Sequence, residues 1–453
     1  MRYISTRGDT PPLGFTDAVL TGLAPDGGLL VPDRLPDVSH RCGEWRDLSF
    51  VELAKEVLPL FADDIPADEL AGLVDAAYGS FDHPEVVPFA QVGDVRVLEL
   101  FHGPTLAFKD IALQLLGQLF EYILNRRRQH LNILGATSGD TGSAAIAGVR
   151  GLPDIDIFIM YPRGRVSALQ ELQMTTVVDD NVHCLAVDGS FDDCQTLMKS
   201  LFADLAFKEQ YSLGAVNSVN WARVMAQIVY YGYASVRLGS EQPVSFVVPS
   251  GNFGNAFAGF LAKRMGFPIE RLIVATNEND ILSMFFNSGT YRRGNVRFTS
   301  SPAMDIQVAS NFERFLYYHL NGDAEQVGAF MAAFSEQGSV TIDAPEKEDF
   351  LATAVDENDT RQAISRAYQQ WGYVADPHTA VGLAAAQRFT SSGTKICLAT
   401  AHPAKFPETV NAAIGHDCAS HPGLQELVGK PSRSVELPAK LAALADYLGA
   451  NCG

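Results

Sequence analysis

Short apolar runs alternate with amphipathic stretches along most of the chain. Runs enriched in β-branched residues at 95–100, 133–134, 155–161, 182–187, 244–248, 272–275 and 396–399 predict strands. Stretches at 110–127, 141–149, 191–207, 221–238 and 255–265 carry apolar residues at helical spacing between them. Strands apolar along their whole length, separated by helices, predict an α/β fold whose parallel sheet is covered on both faces. The first ninety or so residues read as mostly helical, most clearly at 68–78. The segment 81–93 is interrupted by Pro84 and Pro88 and closed by Gly93, which marks a boundary. The region 304–373 reads as helical, followed by a helix at 377–389, the last strand, and a helix near 407–414. After Ser420 comes a proline-containing tail that ends in a short Ala/Leu helix. In sheets of this kind ligands bind beyond the carboxyl ends of the strands, so the loops that follow strands are where chemistry is sought.

Composition narrows the picture. Of 453 residues, 47% are apolar and 19% charged, enough to bury a large core. The formal charge is −19, which repels phosphate backbones and anionic lipid, so neither a nucleic acid nor a membrane is expected as a partner. The one dense basic run, Arg126 to Arg128, suits a helix C-terminus, where cations complement the dipole. Six sparse cysteines form no CxxC pair, which argues against a disulfide framework or a metal site and for a reducing cytoplasm. The N-terminal segment has no apolar core of a secretory signal, and no apolar run is long enough to cross a bilayer.

Five loops carry candidate chemistry. The loop 249–255, PSGNFGN, links an apolar strand to a helix. Its glycines allow close backbone approach and the helix N-terminus offers free N–H groups, so it is either a phosphate cradle or an ordinary tight turn. It matches neither GxGxxG nor a Walker A loop. The loop 136–143, ATSGDTGS, sets hydroxyls at a helix start, where they either bind a carboxylate or cap the helix. Lys109 follows apolar residues at the head of an apolar helix. An amine held there loses its proton readily and can attack an aldehyde; the alternative is a surface lysine. Asn217, Ser218 and Arg223 could bind phosphate or belong to a helix cap. Thr400, at a strand end, could bond a heteroaromatic nitrogen or backbone. His378 and His402 lack the spacing of metal ligands and read as structural. Together, an amine, a phosphate cradle, a carboxylate loop and a strand-end hydroxyl are the parts of a pyridoxal 5′-phosphate (PLP) site.

The strings HGPTLAFKD, GATSGDTGSAAI, YPRGRVS, PSGNFGN, NSVNWAR and ATAHPAKF, with DGGLLVP and SPAMDIQVASNFER, resemble the threonine synthase family in its longer bacterial and fungal form. The resemblance implies a fold-type II PLP enzyme: two doubly wound open-sheet subdomains and a mostly helical N-terminal domain. The expected divisions are an N-terminal domain at 1–90, a catalytic domain at 91–420 with a smaller subdomain at about 105–215, and a tail at 421–453. The implied reaction converts O-phospho-L-homoserine and water to L-threonine and phosphate, in a cytoplasmic monomer or homodimer. By resemblance, Lys109 would hold the cofactor covalently and move protons on the substrate. Gly251, Asn252, Phe253, Gly254 and Asn255 would surround the cofactor phosphate, and Thr400 would meet its ring nitrogen. Thr137, Ser138 and Thr141 would take the substrate carboxylate; Asn217, Ser218 and Arg223 would take its phosphate. No metal is implied.

By resemblance, many fold-type II relatives carry Asn where this chain has Asp140, while the longer synthases share the Asp; an ionised Asp140 would repel a cofactor phenolate, so either a proton is shared or Asp140 turns away, and its role is open. The nearest rival is a PLP-dependent dehydratase or phospholyase on the same scaffold that releases a 2-oxo acid. A binding protein that kept the cofactor fold is a rival of another class. The missing GxGxxG speaks against an NAD-dependent oxidoreductase.

Overall fold

The computed structural model describes residues 1–239 and 242–453. Two sheets organise it. The larger has six strands in the order Phe350–Ala354, Ile269–Thr276, Val244–Pro249, Lys395–Ala399, Val95–Glu99 and Phe89–Val92. All neighbours are parallel except the last pair, which is antiparallel. The smaller sheet has five parallel strands, Val435–Pro438, Val182–Asp188, Ile155–Pro162, Leu131–Ala136 and Leu213–Gly214.

The helix Trp221–Leu238 is buried at every position from Trp221 to Val236, the polar Arg223, Gln227 and Ser235 included. Of the N-terminal helices, Phe50–Val57 packs against it and Ala67–Tyr78 against Lys109–Arg127. Phe50–Val57 begins at a reciprocal cap in which the Ser49 hydroxyl accepts from the Glu52 amide and Glu52 accepts from the Ser49 amide. Arg126 and Arg127 lie in the last turn of Lys109–Arg127 and pair with Glu69 and Asp17.

Several elements differ from the sequence reading. The segment read as a boundary contains the strand Phe89–Val92, which turns at Gly93 and pairs back on Val95–Glu99. The region read as helical holds the helices Phe312–His319, Ala324–Gln337 and Glu357–Trp371, and also the strand Phe350–Ala354 at the edge of the larger sheet. The single helix expected over 191–207 is two, Phe191–Ala203 and Leu205–Gln210, because Asp204 leaves helical geometry and its carboxylate caps the second. The tail adds the strand Val435–Pro438 to the smaller sheet before its helix Leu441–Asn451. A three-residue strand pair, Tyr3–Ser5 with Leu30–Pro32, was too short to show periodicity. Among the described residues no helix is long and apolar enough to cross a membrane, and all six cysteines are free.

One close contact sets the geometry on which the site depends. The helices Lys109–Arg127 and Asp140–Val149 cross at Gly117 and Gly148. A methyl group at Gly117 would lie 1.9 Å from the Gly148 carbonyl oxygen, and one at Gly148 would lie 2.5 Å from the Leu113 carbonyl oxygen. The missing side chains let the two backbones touch. Gly117→Ala is therefore expected to lower stability by about 1–3 kcal/mol through overpacking. Gly328→Ala, in the open interior of Ala324–Gln337, is expected to raise it by about 0.5–1 kcal/mol. Urea midpoints of the two variants check this; equal shifts would contradict the close crossing.

Candidate active site

Three strand ends and one helix start converge. The strands Leu131–Ala136, Val244–Pro249 and Lys395–Ala399 each open into a polar loop at their carboxyl end. Lys109 begins its helix at the end of the segment that follows Val95–Glu99. Although 291 positions separate Lys109 from Thr400, the backbone joins their segments directly. The Phe108 amide donates to the Thr400 carbonyl at 2.9 Å and the His402 amide to the Leu106 carbonyl at 3.0 Å, around a bridge of Ala107 with Ala401. To make this turn Leu106 takes a left-handed conformation, φ 61°, which is costly for a branched residue and clusters at functional sites. Asp110 holds the turn shut: its carboxylate accepts from the Thr105 amide at 2.9 Å and the Thr105 hydroxyl at 2.7 Å. Burial raises the Asp110 carboxyl to about 6 against the lowering effect of those bonds.

The Lys109 side chain is only 12% exposed and its Nζ lies 3.2 Å from Asp140 Oδ2. Burial pushes the Lys109 amine below its usual range; the Asp140 charge opposes this, and the charges of Lys405 and Arg223 add to it. Asp140 serves a second lysine as well. Lys405 Nζ is 2.9 Å from Asp140 Oδ1, and the Gln170 amide donates to the same oxygen at 2.8 Å. Burial works to raise the Asp140 carboxyl, but the Lys405 and Lys109 charges and the bonds from Lys405 and Gln170 outweigh it and hold the group well below the carboxylate range.

The loop after Val244–Pro249 has the character of an anion cradle. A methyl group at Gly251 would meet the Ala303 carbonyl oxygen at 2.5 Å, so only glycine fits. Phe253 is left-handed, φ 65°, and offers no side-chain cap to the helix Gly254–Arg264. The side-chain oxygen of Asn255 accepts from the hydroxyls of Tyr230 at 2.6 Å and Tyr231 at 2.8 Å, which leaves its Nδ2 without a partner; the buried Ser250 hydroxyl has none either. Buried donors lacking acceptors beside an uncapped helix start are the donor set a phosphate completes, so these residues fit the phosphate of PLP. Asn252 is exposed; its carbonyl accepts from the Asn311 amide at 3.0 Å and its side-chain oxygen from the Ser310 hydroxyl at 3.2 Å.

The remaining expected residues divide by environment. The Thr137 hydroxyl accepts from the Gly139 and Gly142 amides at 3.0 and 2.9 Å and so shapes its own loop. Ser138 is exposed and Thr141 half-buried. Thr400 is buried, and its hydroxyl bonds to none of the described residues. Asn217 is exposed, while the Ser218 hydroxyl pairs with that of Ser310 at 2.7 Å. Arg223 is buried, donates from Nη1 to the Val216 carbonyl at 3.0 Å, and has an unpartnered Nε. It pairs with no carboxylate among the described residues, and burial lowers it to about 10. His378 bonds Asp376 and, 75 positions away, accepts from the Ala303 amide; His402 accepts from the Ala404 amide. The sequence assigns no role to Lys405 or Gln170, which the structure brings to Asp140. The one signal for Lys405 was a lysine two residues beyond a strand-end His-Pro, in ATAHPAKF.

Asp140 sets a pH dependence. Its folded value lies below the unfolded one of about 3.9, so its contribution is complete above that value and is lost as pH falls through the folded value. Asp110, raised to about 6, acts in the opposite sense and costs stability as pH rises toward that value. Comparison with Asp140→Asn cancels the Asp110 background. The urea midpoint of the cofactor-free wild type should exceed that of Asp140→Asn at neutral pH, and the gap should shrink from about pH 5 to pH 3. A gap that stays constant would contradict the assignment.

Comparison with known proteins places this arrangement. A family model described as threonine synthase N terminus matches residues 2–78, one described as pyridoxal-phosphate dependent enzyme matches 92–399, and one described as threonine synthase, C-terminal, matches 379–448. The threonine synthase of Pseudomonas aeruginosa is 46% identical over 99% of this chain and 98% of its own. The crystal structure of a PLP-bound threonine synthase from Brucella melitensis superposes with a TM-score of 0.96 at 45% identity, covering 100% of this chain and 99% of that one. The yeast threonine synthase structure superposes with a TM-score of 0.92 at 41% identity, over 99% and 98%.

Proposed function

This chain belongs to the threonine synthase family, and we propose that it converts O-phospho-L-homoserine and water to L-threonine and phosphate at the Lys109 site. It is a fold-type II, PLP-dependent lyase of threonine biosynthesis. Bound PLP supplies an electron sink for the carbon bearing the substrate's amine. The chain's own groups do the rest. Lys109 would hold the cofactor, and its amine takes one proton from the α carbon and one from the β carbon of the substrate. Arg223, with Asn217 and Ser218, holds the substrate phosphate. That group leaves with the electron pair of its Cγ–O bond. The proton taken from Cβ is delivered to Cγ, water gives its hydroxyl to Cβ and its remaining proton to the departing phosphate, and the α proton is returned. Thr137, Ser138 and Thr141 orient the substrate carboxylate. Gly251 to Asn255 would hold the cofactor phosphate, and Thr400 would offer its hydroxyl to the ring nitrogen. A hydroxyl in that role, unlike a carboxylate, would not favour a protonated ring. The smaller subdomain, at about 105–215, moves against the larger to keep water out until the addition step. Free cysteines suit a cytoplasmic setting.

The observation that carries this reading is Arg223. A buried cation without a carboxylate is costly unless an anion reaches it, and it acts electrostatically on the amine of Lys109. An amine beside an anion-seeking guanidinium suits a substrate that is both an amino acid and a phosphate ester. Incubation of the loaded enzyme with O-phospho-L-homoserine should release threonine and inorganic phosphate one for one. Phosphate with 2-oxobutyrate in place of threonine would instead make the chain a phospholyase.

A further inference from the structure

Lys405 has no task in the reaction just described. It is also among the most deeply buried charged side chains, 1% exposed. Its ammonium lies 2.9 Å from Asp140 Oδ1 and donates to the Thr105 carbonyl at 2.7 Å. The turn Pro403–Lys405 that carries it follows directly on the backbone bridge that seats Lys109.

We propose that Lys405 is a positioning residue that occupies Asp140 with its ammonium, leaving Lys109 without a counter-charge of its own and therefore as the neutral, nucleophilic amine. The inference rests on reading Lys109 as the amine of the reaction and deepens it.

Charge inventory carries the argument. Asp140, from the helix Asp140–Val149, is one carboxylate shared by two lysines. Its single negative charge balances only one of them. Geometry decides which. An ammonium at Lys405 has two oxygen acceptors, Asp140 Oδ1 and the Thr105 carbonyl. An ammonium at Lys109 has one, Asp140 Oδ2, at the longer distance of 3.2 Å. The other charged groups around Lys109 favour the same outcome. Arg223, from the helix Trp221–Leu238, is a further buried cation. Asp110, on the lysine's own helix, spends its carboxylate on Thr105. Gln170, the remaining partner of Asp140, is neutral and donates to the oxygen Lys405 uses. The excess proton is therefore lost from Lys109.

This makes two substitutions act in opposite directions, which simple damage to the site would not do. The test is competitive labelling of the cofactor-free full chain with trace acetic anhydride between pH 6 and 10. The acetylated peptides are then quantified by mass spectrometry to give the pH midpoint of the Lys109 amine. Lys405→Met leaves Asp140 to Lys109 alone and should raise that midpoint by about one pH unit or more, a tenfold loss of neutral amine at a fixed lower pH. Asp140→Asn leaves two cations facing each other and should lower it. The double variant removes one charge of each sign, which limits any folding defect, and should return the midpoint to within about half a unit of wild type. A midpoint in Lys405→Met that is unchanged or lower overturns the proposal. So does a double variant that behaves like Asp140→Asn alone. Product identity with phosphohomoserine does not bear on these midpoints, so a wrong substrate and a wrong role for Lys405 are separately detectable.

Discussion

One buried carboxylate shared by a buried and a largely buried lysine is the constraint around which the catalytic region is arranged. Removing charges from water is expensive, and an ion cluster survives in a protein interior only where its geometry and hydrogen bonds repay that cost. Asp140 meets the condition with Lys109 on one oxygen and Lys405 and Gln170 on the other. Four separate chain segments contribute these groups, and Lys405 comes from 265 positions beyond Asp140. The fold has to bring them within hydrogen-bonding distance and keep water largely out.

It does so with backbone contacts. Gly117 and Gly148 let the lysine helix and the Asp140 helix touch, which fixes where their starts lie. The bridge between Ala107 and Ala401 ties the lysine turn to the end of a central strand, so that Thr400 and Lys405 arrive from the opposite side. Gly139 completes the arrangement: a methyl group there would strike the Gln170 side chain at 2.6 Å. The Gly251 to Asn255 loop and Arg223 present donors that the described residues leave without acceptors. Lys109, Lys405 and Arg223 thus gather positive charge in the interior of a chain whose net charge is −19.

The alternation of strands and helices was legible because those strands are buried on both faces and read as unbroken apolar runs. The edge strands Phe89–Val92 and Phe350–Ala354 were not. Each has one neighbour only, lies partly exposed, and sits in sequence that proline or helical spacing dominates. In the candidate site, loops that follow strands could be found from glycine and hydroxyl patterns, since those patterns reflect local backbone demands. Lys405 and Gln170 could not, since their significance lies in reaching Asp140 across 265 and 30 positions of chain. Asp140 itself stood out in the sequence as a departure, but only the two lysines that flank it give the departure a physical reason.

The central claim is that Lys109, and not its buried neighbour Lys405, holds the cofactor. Borohydride reduction of the loaded enzyme, followed by digestion and peptide mass mapping, tests it most directly. The account predicts a cofactor-derived mass on the peptide containing Lys109 and on no other. The same mass on the peptide containing Lys405, or on none, would contradict it.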